Sequence, residues 1–139
     1  MKRYLLDTNI LIAAIKGVEP VRARLERVDA AALVLSPIVL GELMLGVEKS
    51  RLKASNRGRL LKVVGHFAVA PLDTAVSEVY GQLRARLESR GQTIGANDFW
   101  IAAQALAEQL TLVTDNLREF RRVDGLDVEN WLRPDQRSR

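Results

Sequence analysis

The sequence predicts an α/β fold, a mainly parallel central sheet covered by helices, and three observations predict it. Short apolar runs of strand length alternate with longer amphipathic stretches. Each run ends at a residue type that caps a helix, and the chain of 139 residues fits one domain of roughly 100 to 150. Strand-then-helix order repeated in this way implies parallel strands joined by helical crossovers.

Tyr4-Leu5-Leu6 reads as the first strand. Asp7-Thr8-Asn9 supplies N-cap types before the apolar stretch 10–15, which Gly17 closes. Pro20 suits the first turn of a second helix reaching Val28, and Leu33-Val34-Leu35 makes a buried strand ending at Ser36-Pro37. A third helix then runs through Glu42 to about Lys49. Leu60, Leu61, Val64 and Phe67 mark a fourth helical stripe, followed by a short strand over 67–72 that Pro71 interrupts. Asp73 caps the next helix, whose Val76, Val79, Tyr80, Leu83 and Leu87 share a face and which ends at Gly91. A helix over 96–109, a strand over 110–114, a helical turn over 115–120 and a last strand over 126–129 complete the series. Residues 1–133 read as a single domain and 134–139 as a polar tail.

Composition removes several kinds of chemistry. Without cysteine there is no disulfide framework, thiolate zinc site or cysteine nucleophile, and a reducing cytoplasmic setting fits. The apolar run over 10–15 is too short to span a bilayer. The net charge of +4 favours an anionic partner, yet several acids of this basic chain occupy apolar surroundings.

Asp7 and Asp115 each follow an apolar strand where the chain turns into a helix, the edge of an open α/β sheet where ligands bind. N-capping alone accounts for either of them equally well. Glu42 stands in the otherwise apolar segment 37–45, and Asp98 shares a helical face with Ile101, Ala102 and Ala105. A solvated Glu42 and a capping Asp98 are the plain alternatives. Four acids within about 5 Å would repel by roughly 3 kcal/mol per pair at an effective dielectric near 20. A divalent cation offsets this, and an all-oxygen donor set selects Mg²⁺, with Mn²⁺ as a substitute, over zinc. The single His66 has no second histidine with which to share a metal.

At these residues the chain resembles the PIN-domain family, and within it the VapC-type toxin ribonucleases of type II toxin–antitoxin pairs. The resemblance is carried by Leu6-Asp7-Thr8-Asn9, by Gly41-Glu42-Leu43 with Gly46-Val47-Glu48-Lys49, by Ile94-Gly95-Ala96-Asn97-Asp98 with Ile101-Ala102-Ala103, and by Thr114-Asp115-Asn116 with Phe120. It covers nearly the whole chain, and four such motifs in order are specific.

The resemblance implies a PIN-like α/β/α sandwich and a Mg²⁺-dependent endoribonuclease whose acidic quartet is Asp7, Glu42, Asp98 and Asp115, with Asp7 and Asp98 the usual direct ligands. Thr8, Asn9, Thr114 and Asn116 match the accompanying polar positions. The fourth acidic position often carries Asn or Arg in the family, so Asp115 ranks below the other three. The resemblance further implies RNA hydrolysis by metal-activated water leaving a 5′-phosphate, a small cognate antitoxin and a homodimer.

Lys49, Arg51, Lys53, Arg57 and Arg59, with Lys62, form a run without an acid that suits RNA phosphates, although a solvated helix hairpin accounts for it equally well. Arg118, Arg121 and Arg122 form a second basic cluster. Two other readings are a non-catalytic PIN-like RNA-binding module and a phosphoacceptor receiver domain. The receiver needs an acidic pair after the first strand and a lysine after the fifth, and this chain has neither.

Overall fold

A computed structural model describes residues 1–134, with the remainder of the expected polar tail lying outside the described residues. Five parallel strands form one sheet in the order β3-β2-β1-β4-β5, where β1 is Tyr4–Leu6, β2 Leu33–Leu35, β3 Ala68–Val69, β4 Thr111–Val113 and β5 Val128–Glu129. The helices are α1 (Thr8–Lys16), α2 (Glu19–Arg27), α3 (Pro37–Glu48), α4 (Lys53–Val64), α5 (Thr74–Ser89), α6 (Ala96–Ala107) and the single turn α7 (Leu117–Phe120).

The strand order has a functional consequence. From β1 the chain winds outward through β2 to β3, then returns to lay β4 on the other side of β1. The carboxyl ends of β1 and β4 therefore flank the point where the winding reverses, and crevices in open α/β sheets form there. Asp7 follows β1, and its N–H donates to the Val113 carbonyl at 2.8 Å. Thr114 and Asp115 follow β4.

The central strands are buried along their whole length, as strands covered on both faces must be. Leu5, Leu6, Leu35, Leu112, Ile101, Phe99 and Phe120 are among the fully buried side chains of one continuous core. Local chemistry sets the helix ends. The Ser36 hydroxyl accepts from the Ile38 N–H, with Pro37 at the first helical position, and the Asp73 carboxylate accepts from the Val76 N–H. Gly17 closes α1 at φ +74°, a conformation that a side chain disfavours.

Several boundaries differ from expectation. Only Ala68 and Val69 of the 67–72 segment pair, because β3 is an exposed edge strand whose continuation meets Pro71. In the fourth helix Leu60 and Val64 are buried, whereas Leu61 is 43% exposed and Phe67 lies beyond the helix end. The second helix stops at Arg27, one residue early. The sixth stops at Ala107, where Gln109 adopts φ +56° and lets the Leu110 N–H reach the Ala105 carbonyl. A 3₁₀ turn at Ala30–Ala32, capped by Asp29, was not foreshadowed by any sequence pattern.

Candidate metal centre

Asp7 sits at the end of β1 and is 8% exposed. One of its carboxylate oxygens accepts from the Thr8 N–H at 2.8 Å, so it does cap α1; the other accepts from the Thr114 hydroxyl at 2.8 Å. The Thr114 oxygen in turn accepts from the Asn116 N–H at 3.0 Å, which locks the turn after β4 to the turn after β1. Burial raises the Asp7 pKa and the charge of Glu42 adds to the rise, while the bonds from Thr114 and Thr8 partly oppose it.

Glu42 projects from α3 toward the same edge. Its two oxygens accept from the Thr8 hydroxyl at 2.5 Å and from the Asn97 side-chain amide at 3.2 Å. Asp98 lies in the first turn of α6, half-buried, and its pKa is pushed up to about 6. Burial is the largest cause, followed by the charges of Asp7, Glu119 and Glu42. A Cβ placed on Gly95 would stand 3.2 Å from an Asp98 carboxylate oxygen, so the glycine gives this carboxylate its room.

The acids whose charges act on Asp98 are thus Asp7, Glu119 and Glu42, and Asp115 is not among them. Glu119 stands one helical turn after Asp115, on α7, and its carboxylate accepts from the Asn116 side-chain amide at 2.8 Å. Asp115 is engaged elsewhere: it accepts from the Asn130 amide at 2.8 Å and pairs with Arg133 at 3.4 Å, anchoring the turn that follows β5. Glu119 was not singled out from the sequence, where the strand end and the Thr114-Asp115-Asn116 motif drew attention to Asp115. The signal that could have found it was the i, i+4 spacing of the two acids.

The ion pairs among the described residues engage Glu19, Glu26, Glu48, Glu88, Asp115, Asp124 and Glu129, and none of Asp7, Glu42, Asp98 or Glu119. Asp98 stands in the field of Asp7, Glu119 and Glu42, and Asp7 in that of Glu42, with no cationic side chain of the described residues ion-paired to any of the four. Among the described residues no three acids or histidines close into a ready-made cage.

Of the other expected residues, Asn9 is exposed on the first turn of α1; His66, not counted among them, is exposed as well. Lys49, Arg51, Lys53, Arg57 and Arg59 are all exposed. Lys53 pairs with Glu48 at 3.7 Å, Arg57 lies 3.6 Å from the Met44 sulfur, and Arg59 donates to the Ile15 carbonyl at 3.3 Å. Arg59 and Lys16 line a cleft of about 290 Å³ that Glu42 also lines. Arg118 and Arg121 line an open cleft of about 650 Å³ with Asp115, whereas Arg122 turns away to the Thr93 carbonyl at 2.8 Å.

The model of the PIN domain matches residues 4–126. The chain belongs to the PIN-domain family. This PIN domain is 40% identical over 130 residues to a protein named ribonuclease VapC2 from Rickettsia felis, covering 92% of this chain and 97% of that one. It is 38% identical over 133 residues to a protein named tRNA(fMet)-specific endonuclease VapC from Shigella flexneri, covering 94% and 99%. Among solved structures it resembles DNA-bound VapBC from Salmonella typhimurium with a TM-score of 0.88 at 36% identity, over 94% of this chain and 99% of that one.

Proposed function

We infer that this PIN domain is an endoribonuclease, the toxin of a toxin–antitoxin pair, and that a divalent cation, Mg²⁺ or Mn²⁺, is its cofactor. The observation that carries the metal reading is the raised carboxyl of Asp98, crowded by Asp7, Glu42 and Glu119 at the sheet's switch point with no cationic side chain of the described residues paired to them. The relatives named as ribonucleases and endonucleases support the reaction class, and VapBC complexes among the structural neighbours support a small antitoxin partner.

Asp7 and Asp98 would hold the ion, with Glu42 and Glu119 completing the acidic rim. Asp115 has its own partners in Asn130 and Arg133, which supports ranking it below the other acids as a ligand. A bound ion would supply Lewis acidity there, lowering the pKa of a water and offsetting the charge of phosphate oxygens. The chain's own contribution is positional. Thr114 and the Thr8 N–H fix both oxygens of Asp7, and Glu42 is held across the cleft by Thr8 and Asn97. Arg59 and Lys16, lining the cleft that contains Glu42, are placed to meet the backbone of an RNA entering it.

The resemblance to VapC toxins supports a cytoplasmic homodimer. Among the described residues no helix is long and apolar enough to cross a membrane. Structured RNA, tRNA first, is the substrate class to test, given the name of the Shigella relative. End-labelled tRNA incubated with the purified chain should be cut in Mg²⁺ or Mn²⁺ and left intact in EDTA or by Asp98→Asn. Cleavage that persists in EDTA overturns the metal assignment, and binding without cleavage in every metal favours the non-catalytic module.

A further inference from the structure

Asn97 and Asp98 are consecutive in the first turn of α6, and their side chains diverge by about 100° around the helix. Asp98 turns toward the other acids. Asn97 instead reaches across to α3, where its amide donates to one oxygen of Glu42 at 3.2 Å while the Thr8 hydroxyl donates to the other. Glu42 is thus gripped from two elements that meet at the switch point, α1 through Thr8 and α6 through Asn97.

We propose that Asn97 is a positioning residue, which with Thr8 fixes both oxygens of Glu42 and so sets the shape of the acidic rim that receives the metal. The assignment rests on the metal-centre reading of the same site. Three observations support it. Glu42 projects from mid-helix and takes no cationic partner among the described residues, so its direction depends on neutral donors. The Thr8 bond alone constrains one oxygen and leaves the carboxylate free to swing about it. Asn97 itself is exposed and contributes little packing, which makes a purely structural role for its amide a poor account. Donors that orient metal-binding carboxylates are commonly worth about 10- to 100-fold in metal affinity; an exposed amide belongs at the lower end because water competes for it.

The test uses the full chain and Mg²⁺ itself. Melting curves in EDTA and across a Mg²⁺ titration give the half-saturating Mg²⁺ concentration without reference to activity, and RNA cleavage over the same titration gives a second reading. Asn97→Ala should leave the melting temperature in EDTA nearly unchanged and raise the half-saturating Mg²⁺ about tenfold in both readings, with cleavage recovering at saturating Mg²⁺. Asn97→Gln, which keeps the amide, should recover most of the affinity. A wild-type Mg²⁺ dependence in Asn97→Ala overturns the proposal, as does a fall in melting temperature that is equal in EDTA and Mg²⁺. Should the wild-type chain itself show no response to Mg²⁺, the underlying metal reading fails instead.

Discussion

Asp98 is the residue at which the electrostatics of the centre are most concentrated. Its folded-state pKa of about 6 lies above the unfolded 3.8, so between these values the folded chain binds more protons than the unfolded one. Stability in EDTA therefore falls as pH rises through that window. Asp98→Asn carries no charge at any pH, so in EDTA its stability relative to wild type should grow from pH 4 to pH 7, measured as urea midpoints. A constant difference would show that Asp98 is not under strain from its neighbours. The same variant should respond weakly to metal: wild type should gain about 2.7 kcal/mol when free Mg²⁺ is 100 times its Kd, and Asp98→Asn much less. Equal thermal shifts in the two would remove Asp98 from the ligand set. At this scale Asp7, Glu42 and Asp98 could be singled out from sequence, because an acid in an apolar segment is costly and so conspicuous.

At the scale of elements, α7 and the turn after β5 divide the work of two acids that stand four residues apart. Asp115→Asn loses the ion pair to Arg133 and weakens the anchor of the 130–133 turn, which should lower stability by about 1 kcal/mol while sparing most cleavage. Glu119→Gln should do the reverse. Cleavage rates and denaturation midpoints of both variants separate the roles, and a more damaging Asp115→Asn in the cleavage assay would return Asp115 to the centre. The end of α6 supplies another test. Gln109 carries the left-handed penalty at φ +56°, so Gln109→Gly should raise stability by about 0.5 to 1 kcal/mol, read as a higher melting temperature. No gain would mean that the glutamine side chain offsets the strain through its own interactions. The helices with caps and periodic apolar faces were legible, α5 above all, whereas β3 and β5 shrank to two residues each because strand length is set by what lies alongside.

For the molecule as a whole, the acidic edge sits within a chain of net charge +4. The exposed run from Lys49 to Arg59 lies on the α3–α4 side, and Arg59 shares a cleft with Glu42. Replacing Arg51, Lys53, Arg57 and Arg59 together by Gln should weaken RNA binding and flatten its salt dependence, by somewhat under one unit of log–log slope for each phosphate that is no longer neutralised. Binding measured at several salt concentrations in an Asp98→Asn background isolates this from cleavage. An unchanged slope would assign the run to solvent.

By itself the sequence determined the α/β class, the parallel sheet and most helix ends, and it singled out Asp7, Glu42, Asp98 and Asp115 as candidate acids, since periodicity, caps and burial cost are properties of neighbours along the chain. Tertiary structure alone decided that β1 and β4 stand side by side at the switch point, that the charge of Glu119 acts on Asp98 while Asp115 turns to Asn130 and Arg133, and that Asn97 reaches Glu42. The physical reason is directional. Which way a carboxylate points depends on how a helix is rotated and tilted against the sheet, and that angle is set by the summed core packing of residues far apart in the chain.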